Sequence, residues 1–174
     1  MRGAMTAGVL CPGPSLARQL PEPGEFALTI GVNRAVQFAR CDYWAMLDGH
    51  TFGIVTRILG SPKLICTHGT FARLARKKPA ARALGYLDTD KISLRDDMAP
   101  WRKWGMTTGI AAAAHLGAKR IEVRGADWDG TTDFDGYRDQ HQSRTPERWE
   151  RERGDFEALR KVLAGRGVRV ERVH

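Results

Sequence analysis

"VLCPGPSLARQL", residues 9–20, runs from apolar residues into Pro12, Gly13, Pro14 and Ser15 and then into a helical pattern. A strand, a tight Gly turn and a helix start, in that order, form the opening unit of many nucleotide-binding sheets, where helix amides hold a phosphate. Pro and Gly also end strands with no ligand nearby. One short turn is weak evidence, so the rest of the chain decides between the two.

The pattern continues. Short apolar runs over 7–11, 26–32, 42–47, 63–67, 120–126 and 168–173 are rich in Val, Ile, Leu and aromatic residues. Several are nearly continuous, as in strands covered on both faces. Helical patterns lie between them at 14–20, 33–39, 67–78, 107–117 and 145–165. In the fourth, Thr107 or Thr108 suits the N-cap and Gly117 the stop; in the last, Thr145, Pro146 and Glu147 open the helix and Gly165 closes it. Alternating strands and helices predict an α/β fold: one domain over 1–174, with a mostly parallel sheet and helices on both faces.

A chain of 174 residues, 42% hydrophobic and 28% charged, can bury a full core. No run approaches the ~20 apolar residues of a membrane span, and the start, "MRGAMTAGVLC", lacks a signal-peptide core. Cys11, Cys41 and Cys66 are odd in number, lack C-x-x-C spacing and lie in or beside apolar runs. They read as buried free thiols in a reducing cytoplasm, not as disulfides or zinc ligands. The net charge of +8 suits a polyanionic partner or a phosphorylated substrate. Arg73, Arg76, Lys77, Lys78 and Arg82 carry no intervening acid, so 73–82 is the candidate surface for an anionic partner. "PERWERERGDFEALRK" interleaves Glu with Arg and reads as a solvated helix face with ion pairs.

Ligands of open parallel sheets bind beyond the carboxyl ends of the strands. The unusual polar residues come after the strands: Pro12 to Ser15, Asn33-Arg34, Asp48-Gly49-His50, Thr67-His68-Gly69 and Asp127-Trp128-Asp129-Gly130. Together they predict a binding crevice at that edge. The helix at Thr107 would add two hydroxyls and free amides suited to a phosphate.

G-P-S-L at 13–16, Asn33, T-T-G at 107–109 and G-x-D at 125–127 stand in this order in one superfamily. Over residues 7–141 the sequence resembles the bacterial sialyltransferase-like proteins, with their motility-accessory-factor and 6-hydroxymethylpterin pyrophosphokinase-like relatives. Short phage-encoded members belong to that group. The resemblance implies a Rossmann-like domain that binds a nucleotide or nucleotide-sugar, a cytidine nucleotide-sugar in the sialyltransferases. By the same resemblance Gly13, Pro14, Ser15 and Asn33 line the nucleotide pocket. Thr107, Thr108 and Gly109 face its phosphate, and Gly125 and Asp127 approach the ribose or base; Asp48 is a nucleotide-binding candidate from its place at the third strand end. The sequence departs from the family's G-x-G-P-S-L, in which x is commonly Asn: Cys11 replaces the first Gly and Pro12 the Asn.

A glycosyltransferase of this kind needs a base for the acceptor hydroxyl and cations or N–H groups for the leaving phosphate. The resemblance puts a His and Tyr beyond the G-x-D strand, which gives His141 and Tyr137 as catalytic candidates beside Asp127. His50 and His68 compete as bases, Arg138 or Arg144 would meet the phosphate, and Trp128 would stack on a base or sugar or cap the core edge. Asp127-x-Asp129 resembles the D-x-D that holds Mg²⁺ or Mn²⁺ in metal-dependent glycosyltransferases. The sialyltransferase branch, by contrast, uses no metal. Two other classes remain open on sequence alone: an Mg-dependent phosphotransferase of the pyrophosphokinase type, although no Walker motif is present, and a non-catalytic phage structural protein.

Overall fold

Side chains alternate between the two faces of a strand, and in this chain both faces are apolar. The computed structural model describes residues 4–92, 101, 103–133, 135–138 and 144–173. Its strands are β1 (Thr6–Leu10), β2 (Leu28–Val32), β3 (Tyr43–Ala45), β4 (Lys63–Cys66), β5 (Tyr86–Asp88), β6 (Arg120–Arg124) and β7 (Arg169–Arg172). They form one sheet in the order β5-β4-β3-β2-β1-β6-β7, and every neighbouring pair is parallel. The α/β expectation is therefore met, with all strands parallel.

The helices are α1 (His50–Ile54), α2 (His68–Lys77), α3 (Pro79–Leu84), α4 (Gly105–His115) and α5 (Pro146–Ala164). On one face Val9, Ile30 and Ile121 pack with Ile110 of α4 and Phe156, Leu159 and Leu163 of α5. On the other, Leu10, Trp44 and Leu64 pack with Leu16, Leu74 of α2 and Ala81 of α3. Residues Met106 to Ala113 of α4 are all buried, so this helix is covered on every side. Gly109 lets it approach the sheet: a Cβ there would stand 3.2 Å from Val9 Cγ1 and 3.5 Å from Ile30 and Val32.

Several elements differ from the sequence expectation. The patterns at 14–20 and 33–39 become five-residue 3-10 turns, Pro14–Arg18 and Asn33–Gln37. The strand β5 and the helices α1 and α3 are additions, each six residues or fewer and too short to show a period. Helix α4 begins at Gly105 with Trp104 as N-cap, so Thr107 and Thr108 lie inside its first turn. At α5 the expected start is found: Thr145 Oγ1 accepts the Arg148 amide at 3.3 Å, and Pro146 opens the helix. Cys11, Cys41 and Cys66 are free and buried, and burial pushes the Cys41 thiol up to about 12 and Cys66 to about 11. Among the described residues no helix is long and apolar enough to cross a membrane.

Candidate functional site

Strands β1 to β5 step across the sheet in one direction, whereas β6 and β7 lie on the other side of β1. The chain thus switches direction at β1, and its loops beyond the carboxyl ends diverge there. A cavity of about 380 Å³ opens at that point. The ends of β1, β2 and β6 line it with Cys11, Gly13, Asn33, Gly125 and Asp127. Trp104, Gly105 and Met106 close it from the start of α4, and Arg144, Arg148, Trp149 and Glu152 from the start of α5.

The first turn is built by close approach. Gly13 donates its amide to the Gly125 carbonyl at 3.0 Å, and a Cβ on Gly13 would meet that oxygen at 2.4 Å. Gly125, at φ +68°, would drive a Cβ to 2.2 Å from the Cys11 carbonyl oxygen. Only glycine fits either position. The anion position of the turn is already taken, because Ser15 donates its amide to Asp127 Oδ2 at 2.6 Å. The Ser15 amide, one of the groups that the reading of "CPGPSL" as a phosphate turn relies on, is thus bonded to a side-chain carboxylate of the same protein. Ser15 faces a second recess of about 280 Å³, shared with Arg18, Asp127, Trp128, Asp129 and Arg172. Pro14 packs near Gly130.

Asn33 stands differently. It is the only non-glycine residue with positive φ among those described, at +49°, directly after β2. Residues other than Gly take this conformation at a cost, Asn with the least. Its half-buried side chain lines the cavity beside Gly105. Strained residues of this kind cluster at functional sites, which makes Asn33 a candidate.

The α4 residues are redistributed. Thr107 donates its hydroxyl to the Trp101 carbonyl at 2.6 Å, and Thr108 donates to the same oxygen at 3.2 Å. Both are fully buried and neither lines the cavity, nor does Gly109, which meets the sheet. Gly105 and Met106 line it in their place. Amides at the start of a helix lack intrahelical acceptors and carry positive partial charge, and at α4 they belong to residues two positions before the expected Thr107.

A buried ion network backs the far wall. Arg34, 6% exposed, donates to Asp133 at 3.0 Å and twice to Asp135, at 2.9 and 2.7 Å. Arg144 reaches the other oxygen of Asp133 at 2.6 Å. Tyr137 lies under the Arg34 guanidinium, whose carbon is 3.9 Å from the ring centre, so the expected catalytic Tyr packs into this network at a separate small recess and does not line the cavity. Asp48 reaches the cavity edge while accepting the Thr51 amide at 3.1 Å. His141 lies outside the described residues. His50 and His68 do not line the cavity, and His68 meets the Tyr86 hydroxyl at 2.7 Å. Arg138 is exposed and stands apart from the lining. Asp129 lies in the second recess beside Asp127, and no three metal-ligating side chains come together among the described residues. The Arg73–Arg82 stretch is carried on α2 and α3, at the opposite edge of the sheet from α5.

Arg148, Trp149 and Glu152 come from the segment read as a solvated face. Positions 149, 152, 156, 159 and 163 recur three and four residues apart, the spacing of one buried helix stripe. Phe156, Leu159 and Leu163 fill the core from that stripe, and Trp149 and Glu152 continue it into the cavity. Trp104 is fixed there as well, donating its indole N–H to Asp155 at 2.7 Å with the Arg148 guanidinium 5.4 Å from its ring.

A parallel sheet with a cavity at its switch point defines a Rossmann-like architecture. The solved structure of a Tyr-to-Phe variant of the sialyltransferase CST-II in complex with CMP is similar to this chain, with a TM-score of 0.57 and 12% identity over 97% of this chain and 80% of that one. The likeness is one of fold. No family model matches the sequence, and no curated protein matches it.

Proposed function

We propose that the cavity binds a nucleotide-activated sugar, with a CMP-sugar the favoured donor, and that the protein is a glycosyltransferase-like enzyme. The observation that carries this is Asn33, held in a left-handed conformation at the end of β2 with its amide on the cavity. An amide both donates and accepts, as recognition of a base or ribose requires. The fold shared with a CMP-bound sialyltransferase supports the same reading. In transfer, the acceptor hydroxyl attacks the anomeric carbon and the nucleotide phosphate departs. The amides of Gly105 and Met106, with Lys103, Arg144 and Arg148, are the groups around the cavity suited to that charge. Asp127 braces the β1 and β6 loops, and Tyr137 braces Arg34. His141 remains a proposed base.

A calorimetric and thermal-shift series across CMP, CDP, UDP, GDP and ATP, with and without Mn²⁺, tests this. CMP or CDP should bind and raise the melting temperature above the purine nucleotides. A folded protein that binds none of them overturns the reading.

A further inference from the structure

Glu152 is the one acid on the buried stripe of α5, and it sits where that stripe enters the cavity. Its Oε2 is buried with no hydrogen-bond partner among the described residues. A buried carboxyl oxygen without a donor is costly, and every other stripe position further along α5 is apolar. Such an acid is unexplained by packing.

We infer that Glu152 is the proton-transferring residue of this cavity, taking the proton of the acceptor hydroxyl as the nucleotide leaves. The inference rests on the nucleotide-sugar reading and assigns its base to Glu152 in place of His141. The acceptor O–H attacks the anomeric carbon, a new C–O bond forms and the C–O bond to phosphate breaks. The phosphate keeps that electron pair, and the proton passes to the Glu152 carboxylate.

The surroundings suit the task. Burial pushes the carboxyl up to about 7, against the pull of Arg148 and Arg144 and with the push of Asp155. Cys11, at the end of β1, senses the same carboxyl, and its thiol is raised by burial first and then by Glu152 and Asp127. Lys103, Asp48, Asp133 and Arg151 are the other charged groups on the cavity. A base working near neutral pH is poised to accept and release a proton. A departing nucleotide brings negative charge beside it, which favours the protonated carboxyl once transfer is done.

The test compares wild type, E152Q and E152D in two assays. CMP affinity is measured at about pH 6 and about pH 8, either side of the carboxyl's midpoint, and hydrolysis of CMP-N-acetylneuraminate is monitored across the same range. Wild-type CMP affinity should fall towards high pH by more than that of E152Q. Hydrolysis by E152Q should drop about 10²–10⁴-fold while it still binds CMP, with partial recovery in E152D. Hydrolysis at the wild-type rate and pH profile in E152Q overturns the assignment, as does an unchanged pH dependence of CMP affinity. If the folded wild type binds no nucleotide, the nucleotide reading itself fails, which the affinity measurement reports separately from any effect of Glu152.

Discussion

Asp127 and Ser15, 112 residues apart, are joined by one 2.6 Å hydrogen bond that fills the anion position of the first turn. The bond fastens the β6 loop to the start of the Pro14–Arg18 turn, as an N-cap would from a distance. Losing a capping acceptor costs about 0.5–2 kcal/mol. Asp127→Ala should therefore lower stability by about that amount in urea unfolding, and CMP affinity should fall with the loosened loop. Unchanged stability would show that the carboxylate is not a brace.

At Asn33 two substitutions should pull stability and binding apart. Asn33→Gly removes the left-handed strain and should leave stability unchanged or raised by up to about 1 kcal/mol. Losing the amide should weaken CMP binding by about 1–3 kcal/mol. Asn33→Ala should lose both, since Ala tolerates positive φ less well. Equal CMP affinity in Asn33→Gly and wild type would remove Asn33 from the site.

The Arg34–Asp133–Arg144 network is buried, with Arg34 and Asp133 side chains 7% and 3% exposed. Removing Asp133 leaves Arg34 its two bonds to Asp135 but takes the carboxylate from Arg144, and losing a hydrogen bond between charged groups costs about 1.5–3 kcal/mol. Asp133→Ala should therefore lose about that much in urea unfolding, and added salt should not recover it, because buried pairs are weakly screened. A loss below about 1 kcal/mol, as for surface pairs, would contradict the burial.

The Glu152 carboxyl also leaves a mark on stability. Its midpoint is raised from 4.5 in the free group to about 7 in the fold, chiefly by burial. The folded protein therefore binds this proton more tightly than the unfolded chain does. The benefit is complete below about pH 4.5 and is lost as pH rises through about 7. Relative to E152Q, the wild type should lose on the order of 3 kcal/mol across that window. Parallel stability curves for the two proteins would rule out the buried acid.

Much of the sheet was legible because its strands are uninterrupted apolar runs, and the crevice was legible from the polar residues at their ends. β5 was not: Tyr86–Asp88 is three half-buried residues after Gly85, too short for any pattern. Thr107 and Thr108 look like capping residues, but Trp101 supplies a carbonyl that draws both hydroxyls inward. The site residues on α5 were hidden by composition, since Arg and Glu on every side drown the three-and-four spacing that puts Trp149 and Glu152 on the buried stripe. The Ser15 amide looked open to phosphate because its partner, Asp127, is far away in sequence.

The reciprocal fit of Gly13 against Gly125 has a consequence for how the protein comes to be made. On an elongating chain the residues up to Asp88 can supply β1 to β5, but the β1 turn then has no Gly125 carbonyl and no Asp127 to grip. Long-range contacts are late to close because the loop between them must first be ordered. The walls of the cavity are thus complete only once β6 stands beside β1 and α5 lays its first turns over the gap. A fragment ending before β6 would lack the site altogether, whatever sheet it managed to form.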